Sequence, residues 1–281
     1  MGDRTVFVLA ASADIGCALA GFFADDGCTV IGTYRARAAA APLEGRPNVH
    51  LLACDVASRD SVRAMLDGYR ALQRPWDVFI SAVGLLDPIG PWTGLDFDAW
   101  EQSVIVNSTA QLRVLHGLYP LRRVGRPVHA AFFAGGGTNN PFTNYSAYCV
   151  AKILLIKTCE LLDDEVPDLN AFIIGPGFLP TKIHQQTFAN PEGAGPAYTK
   201  TAGFYKVLGT EVTYRDIYDC VSWCIAQGRE VVGGRNIAAA HDPWRDGGAA
   251  LAASLRGHPD TFRLRRAGNP GTTAERGPDP T

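Results

Sequence analysis

The feature that most constrains this chain is a rhythm of short apolar runs alternating with segments of helical periodicity, repeated from residue 5 to about residue 240. Residues 5–10, 29–33, 49–56, 77–82, 128–134, 170–174 and 235–240 read as strands, several of them continuous apolar runs suited to burial on both faces. Between them, residues 17–24, 58–72, 100–118, a stretch around Tyr148 and residues 214–226 carry helical patterns. Strands that alternate with helices imply a parallel sheet covered on both faces, entered here by strand, tight turn, helix and strand, the first half of a nucleotide-binding sheet. The helix start after the first strand offers free amides and a positive dipole end to a pyrophosphate. Gly16 alone remains of the glycines expected in such a turn.

The 281 residues, 47% hydrophobic, suffice for one large domain. A formal charge of −2 gives no general electrostatic reason to expect nucleic acid or an anionic membrane as partner. No signal-peptide core opens the chain and no apolar run reaches about 18 residues, so a cytoplasmic protein is expected. Seven cysteines without a CxxC pair read as reduced thiols, and Cys220 with Cys224 lacks a matching cluster, so no metal site is expected. The expected domain is 1–256, with a mobile tail at 257–281 where composition turns to Arg, Gly, Pro and Thr.

Residues 144–152, Asn-Tyr-Ser-Ala-Tyr-Cys-Val-Ala-Lys, begin a helix and set the Tyr148 phenol and the Lys152 ammonium four residues apart on one face. A nearby cation favours the ionised form of a phenol that otherwise titrates near pH ~10, which suits proton transfer. The plain alternative is an amphipathic helix whose lysine reaches past a tyrosine to solvent. At the end of the second strand, Thr33-Tyr34-Arg35-Ala-Arg37 has a guanidinium where an acidic residue would bind a ribose 2′-hydroxyl. Arg35 therefore points to NADP(H) over NAD(H), and Arg37 reads as a solvated loop charge.

Five signatures in order resemble the classical short-chain dehydrogenase/reductase family over roughly residues 4–245. They are the turn Ala10-Ala-Ser12-Ala-Asp14-Ile15-Gly16, Asp55-Val56, Asn107, Tyr148 with Lys152, and Pro176-Gly177-Phe-Leu179-Pro-Thr181. The resemblance implies a Rossmann-type α/β fold, a doubly wound parallel sheet of about seven strands in a single domain with a lid at 182–213. It also implies roles for single residues. Ala10, Ser12, Asp14, Ile15 and Gly16 would hold the phosphates, Tyr34 and Arg35 the adenosine end, and Asp55 and Val56 the adenine. Gly84, the survivor of Ser81-Ala-Val-Gly84, would line the same groove. Pro176, Gly177, Leu179 and Thr181 would contact the nicotinamide end, and Tyr148, Lys152 and Asn107 would form the proton-transfer group. The ending His241-Asp-Pro-Trp244 and the Gly135–Pro141 loop look like a subgroup from sugar-nucleotide, polysaccharide or specialised-metabolite clusters.

The chain departs from the family pattern at three places. Ala10 and Asp14 replace glycines of the phosphate turn, Ala10 at little expected cost and Asp14 as a possible cap for free amides. The family's Asn-Asn-Ala-Gly after the fourth strand appears as Ser81-Ala-Val-Gly84, so only the glycine survives. The serine expected about thirteen residues before the tyrosine falls at Gly135, and Thr138 in the same loop, or a loop amide, is the candidate to bind the substrate oxygen instead.

The function expected is hydride transfer between NADP(H) and a carbonyl or alcohol of a polar small molecule, sugar, cyclitol or nucleoside-like, with Tyr148 as general acid or base. Lys182, His184, Gln185, Tyr198 and Lys200 of the lid are the candidate polar contacts, and Trp92, Phe142 and Tyr145 the facing wall. The competing expectation is a cofactor-binding regulator or scaffold that lost turnover. An extended-branch epimerase or dehydratase fits poorly with so short a chain. Family resemblance adds a homodimer or homotetramer built on residues 104–118 and 153–162.

Overall fold

The structure is a computed structural model that describes residues 3–207 and 212–266. In chain order its strands and helices are β1 (Thr5–Leu9), α1 (Asp14–Asp25), β2 (Thr29–Tyr34), β3 (Val49–Ala53), α2 (Arg59–Ala71), β4 (Val78–Ser81), α3 (Phe97–Asn107), α4 (Thr109–Leu118), β5 (Val128–Phe133), α5 (Ser146–Glu165) and β6 (Leu169–Gly175). After β6 come α6 (His184–Ala189), α7 (Pro191–Ala194), α8 (Pro196–Lys206), α9 (Tyr214–Gln227), α10 (Arg229–Val232), β7 (Asn236–Ala238) and α11 (Ala249–Gly257).

The seven strands form one parallel sheet in the order β3-β2-β1-β4-β5-β6-β7. The order reverses at β1 and β4, and in such sheets the crevice beyond the carboxyl ends of those strands is where ligands bind. Strand alternation divides the core in two. On β1, Val6 and Val8 pack among residues of α1, α9 and α11, such as Leu19, Phe23, Val221 and Leu255. Phe7 and Leu9 turn to the other face, among Met65, Val114, Leu155 and Ile156 of α2, α4 and α5. All four β1 residues are fully buried, which explains why a strand covered on both faces reads as an unbroken apolar run.

Two expectations about elements change. The helix expected over residues 100–118 is broken at Ser108, where φ is −137° and ψ is −88°. The break follows from Asn107, whose side chain leaves the helix pattern to bond the backbone of Leu85, while the Ser108 hydroxyl donates to the Val104 carbonyl. The mobile tail expected from 257 is held at its start. The Asn236 amide donates to the Phe262 carbonyl, Arg263 pairs with Asp163, and Arg265 pairs with Glu160 and Asp260. Arginines that read as solubilising tail composition are in fact the residues that fasten it. The rest of that expectation, residues 267–281, lies outside the described residues. No helix among the described residues is long and apolar enough to cross a membrane.

Candidate active site

The turn after β1 is built by close approach. A Cβ placed on Gly16 would lie 2.3 Å from the Ala10 carbonyl oxygen, so only glycine lets the start of α1 pass so near the strand end. Ala10 has φ +60°, the left-handed conformation that glycine adopts freely and alanine adopts at a cost of about 1 kcal/mol. Its substitution is therefore less neutral than its size suggests. The Ala10 amide is fastened by the Thr33 hydroxyl at 2.8 Å. First-turn amides of α1, those of Asp14, Ile15 and Gly16, are left unused by the helix itself, and Ser12 lies just before them.

Asp14 does not cap α1. Its carboxylate accepts the main-chain N–H of Lys182 at 2.5 Å and lies 3.4 Å from the Lys182 ammonium, which ties the turn to the segment leaving β6. The helix lacks a side-chain cap because Ala13, which has no acceptor, occupies the N-cap position. At the end of β2, Tyr34 is half-buried and Arg35 is exposed, with no hydrogen bond or ion pair among the described residues. Arg37 pairs with Glu44 at 2.8 Å on the surface. Asp55 turns its carboxylate onto the Ala57 amide, which shapes the loop after β3, with Val56 half-buried beside it. A Cβ on Gly84 would meet the Ile183 side chain at 3.0 Å, so this glycine marks the contact of the β4 loop with the start of the lid. These residues fit a dinucleotide: a narrow glycine-dependent turn, free first-turn amides and a free guanidinium lie along the carboxyl edge of β1 and β2.

Tyr148 and Lys152 lie on the inward face of α5, both nearly closed off from solvent at 9% and 3% exposure. The Lys152 ammonium is 5.7 Å from the Tyr148 ring centroid and donates to the Val83 carbonyl at 3.1 Å. Burial pulls Lys152 down to about 8 from the ordinary 10.5. Burial, with Cys149 next to it, pushes the Tyr148 hydroxyl above the usual phenol range. Desolvation thus moves Tyr148 in the direction opposite to the lowering expected of a nearby lysine, and the phenol keeps its proton at neutral pH. Asn107, fully buried, accepts the Leu85 amide at 2.9 Å and donates to the Leu85 carbonyl at 2.7 Å and to the Ser103 carbonyl at 3.0 Å. It does not touch Lys152. Both residues instead bond the backbone of one loop, Lys152 at Val83 and Asn107 at Leu85.

The loop at Gly135 shows why no serine stands there. A Cβ on Gly135 would fall 2.3 Å from the Tyr148 hydroxyl oxygen, so the tyrosine ring fills the volume a serine side chain would need. Thr138 donates to the Gly135 carbonyl at 3.3 Å, closing its own loop. Around Tyr148 pack Leu86, Ile89, Tyr145 and Ala194, with Phe142, Ile183, Ala197 and Tyr198 at the margin. Phe142 and Tyr145 stack at 4.1 Å, whereas Trp92 stands 59% exposed and takes no part in this wall.

After Gly177, whose φ is +74°, the chain passes buried Leu179 and half-buried Thr181 into the lid. Thr181 is not a helix cap, because α6 starts at His184 behind Ile183. The described part of the lid is fastened to the body at several points. Gln186 accepts the Leu86 amide at 2.6 Å, Asn190 donates to the Ile89 carbonyl at 2.9 Å, and Asn144 donates to the Gly193 carbonyl at 2.8 Å. The lid candidates divide accordingly. Lys182 is taken by Asp14, His184 stacks on Phe178 at 4.6 Å, Gln185 and Lys200 are exposed, and Tyr198 packs edge-on to Phe188. Residues 208–211 of the expected lid lie outside the described residues.

Residues 9–240 match the family model described as enoyl-(acyl carrier protein) reductase. The chain belongs to the short-chain dehydrogenase/reductase family. Among relatives, 122 residues are 27% identical to the short chain dehydrogenase andC of Emericella variicolor, covering 43% of this chain and 48% of that one, so the match spans about half the relative's length. Among solved structures, a short-chain dehydrogenase/reductase from Saccharomyces cerevisiae is similar with a TM-score of 0.77 and 17% identity, over 93% of this chain and 100% of that chain. An actinorhodin polyketide ketoreductase with NADPH gives 0.74 and 16%, over 84% and 95%. A Pseudomonas aeruginosa RhlG/NADP complex gives 0.70 and 18%, over 85% and 95%. These likenesses show the fold.

Set against the family pattern, one polar string escaped sequence reading. The Ser81 hydroxyl donates to Gln111, and Gln111 donates to the Asn107 carbonyl at 2.8 Å, so the helix break beneath the site is braced from β4. Gln111 carried no motif signal. An isolated amide inside an apolar helical stretch was the only hint.

Proposed function

We propose that this short-chain dehydrogenase/reductase is an NADP(H)-dependent carbonyl reductase with Tyr148 as general acid. The carrying observation is a buried, protonated phenol beside a buried ammonium at the carboxyl edge of the sheet, next to a groove whose guanidinium, Arg35, is free. When bound, the nicotinamide supplies the hydride to the carbonyl carbon. Tyr148 gives its Oη proton to the oxygen as negative charge develops there. Lys152 offsets the phenolate left behind and, with Val83, holds the floor of the site. Asn107 keeps the Val83–Leu85 loop in place and is a positioning residue. Arg35 would take the 2′-phosphate, and the first-turn amides of α1 the pyrophosphate.

The substrate class narrows with the packing. Side chains against Tyr148 are apolar or aromatic, and the nearby amides of Asn144, Gln186 and Asn190 are engaged by backbone groups. The reading supported best is a carbonyl compound whose reacting end is apolar or aromatic, rather than the sugar-, cyclitol- or nucleoside-like molecule expected from the composition of the lid. A homo-oligomer is part of the same proposal. Phe97, Val150 and Leu161 on α3 and α5 are exposed apolar residues for its interface, while much of the apolar face expected for assembly, such as Val114, Leu118 and Leu155, is packed inward.

The test is a titration with NADPH and NADH, followed by nicotinamide fluorescence, in the wild type and Arg35→Ala. NADPH is expected to bind at least about tenfold more tightly than NADH, a difference of ~1.4 kcal/mol that disappears in the variant. The reading fails if neither dinucleotide binds below about 1 mM. A second reading, a cofactor-binding scaffold without turnover, is favoured by one observation, the Tyr148 ring lying where the serine would stand. Tight NADPH binding with no oxidation of NADPH by any aromatic or aliphatic ketone would support it.

A further inference from the structure

At the opposite end of the sheet from Tyr148, where the chain enters β7, lies a cleft of about 470 Å³ lined by Asp163, Arg229, Glu230, Arg235, Leu255, Arg256, Pro259 and Arg263. That volume falls in the roughly 300–1,000 Å³ range of small-molecule sites. Four guanidinium groups face two carboxylates here, an excess of positive charge in a chain whose formal net charge is −2. The ion pairs do not balance it. Asp163 is shared between Arg229 at 2.9 Å and Arg263 at 3.0 Å, and Arg256 reaches Glu230 at 3.3 Å.

Arg235 is left without a carboxylate, although it is only 4% exposed. Its guanidinium donates to the carbonyls of Leu255 at 2.8 Å, His258 at 3.1 Å and Thr261 at 2.6 Å. The neighbouring Arg263 adds like-charge repulsion, which Asp163 and Asp260 oppose, and the Arg263 Nε–H is buried with no acceptor among the described residues. A buried donor without an acceptor is costly, and a guanidinium held by neutral carbonyls still favours a nearby anion, so an oxyanion would serve both. Guanidinium groups take carboxylate and phosphate oxygens bidentately, whereas Leu255 and Pro259 would face the apolar part of a ligand.

We propose that this cleft binds a small molecule through an oxyanion, a phosphate monoester or a polycarboxylate, at a site separate from the dinucleotide groove. The free Arg263 Nε–H and Arg235, which has carbonyl partners but no ion pair, are the recognition elements, and the Asp163 carboxylate holds Arg229 and Arg263 in position. The site joins the segment 258–266 to α5, α10 and α11, so occupancy should stiffen the C-terminal part of the domain.

Inorganic phosphate and citrate are the probes, titrated into the wild-type chain by calorimetry and thermal unfolding, with sodium chloride at matched ionic strength as control. Binding of one or both is expected beyond the chloride effect, unaltered by saturating NADPH and by Arg35→Ala, and at least tenfold weaker in Arg263→Gln. The stronger of the two probes identifies the oxyanion. Arg256→Gln, whose single ion pair is on the rim, is expected to weaken binding about threefold and decides the matter if Arg263→Gln does not fold. Stabilisation equal to that of chloride, affinity unchanged in the folded variants, or displacement of the anion by NADPH would each overturn the proposal, the last by locating the anion in the phosphate turn.

Discussion

Among the described residues two Lys or Arg side chains are buried to less than 5% exposure, Lys152 and Arg235, and neither has a carboxylate ion-pair partner there. They lie at opposite ends of the sheet. Lys152 has one carbonyl, that of Val83, and a flexible stem in apolar surroundings, so burial brings its titration down to about 8. Arg235 has three carbonyls arranged around a planar guanidinium, and although burial and Arg263 lower its basicity, a guanidinium remains charged. The difference teaches that burial alone does not make a reactive group. A poorly satisfied lysine is poised to change charge near neutral pH, whereas a well-satisfied arginine fastens a chain segment and keeps a permanent positive field.

The comparison can be broken most directly by removing each charge. Tyr148→Phe and Lys152→Met should each lower turnover by about 10²–10⁴-fold, the range for loss of general acid catalysis, with folding intact. Arg235→Met should instead lower stability by roughly 3 kcal/mol or more, because three carbonyls lose their donor, as read by urea unfolding. If the stability losses of the two Met variants were equal, the distinction between them would fall.

The pH dependence sharpens the same contrast. The folded-state titration of Lys152 lies below its ordinary value, so between about pH 8 and 10.5 the unfolded chain binds more protons at this residue and its contribution to stability rises with pH. Its full penalty, at most about 3 kcal/mol, is present below pH 8. The unfolding free energy of wild type minus that of Lys152→Met, measured at each pH, should therefore rise across that window. Reduction activity should decline above pH 8 as the ammonium is lost.

A smaller effect separates a site altered by packing from one merely missing a residue. Gly135→Ser should destabilise the fold by about 1–3 kcal/mol and fail to raise activity, since its Cβ must displace the Tyr148 ring. A serine variant that is both stable and faster would show that the ring moves aside. The smallest change is at the phosphate turn, where Ala10→Gly should raise the unfolding free energy by about 0.5–1 kcal/mol by relieving the left-handed alanine, measurable as a higher melting temperature.

The sequence by itself determined what depends on local period and near neighbours. Strands buried on both faces show as unbroken apolar runs, and Tyr148 and Lys152 share a helix face because they are four residues apart. The free Arg35 follows β2 directly, and Gly16 is legible because a tight turn allows no side chain there. The remaining arrangements join residues far apart in the chain, about which spacing is silent. Asp14 meets Lys182 across 168 positions, Asn107 bonds Leu85 as well as its own helix, and the Tyr148 ring rests on Gly135. The arginine-rich stretch after Gly257 is fastened by Asp163 and Glu160 of α5 and by Arg235 and Asn236, all distant in sequence. Tertiary structure alone decided these points, since which donor finds which acceptor depends on how the helices settle on the sheet.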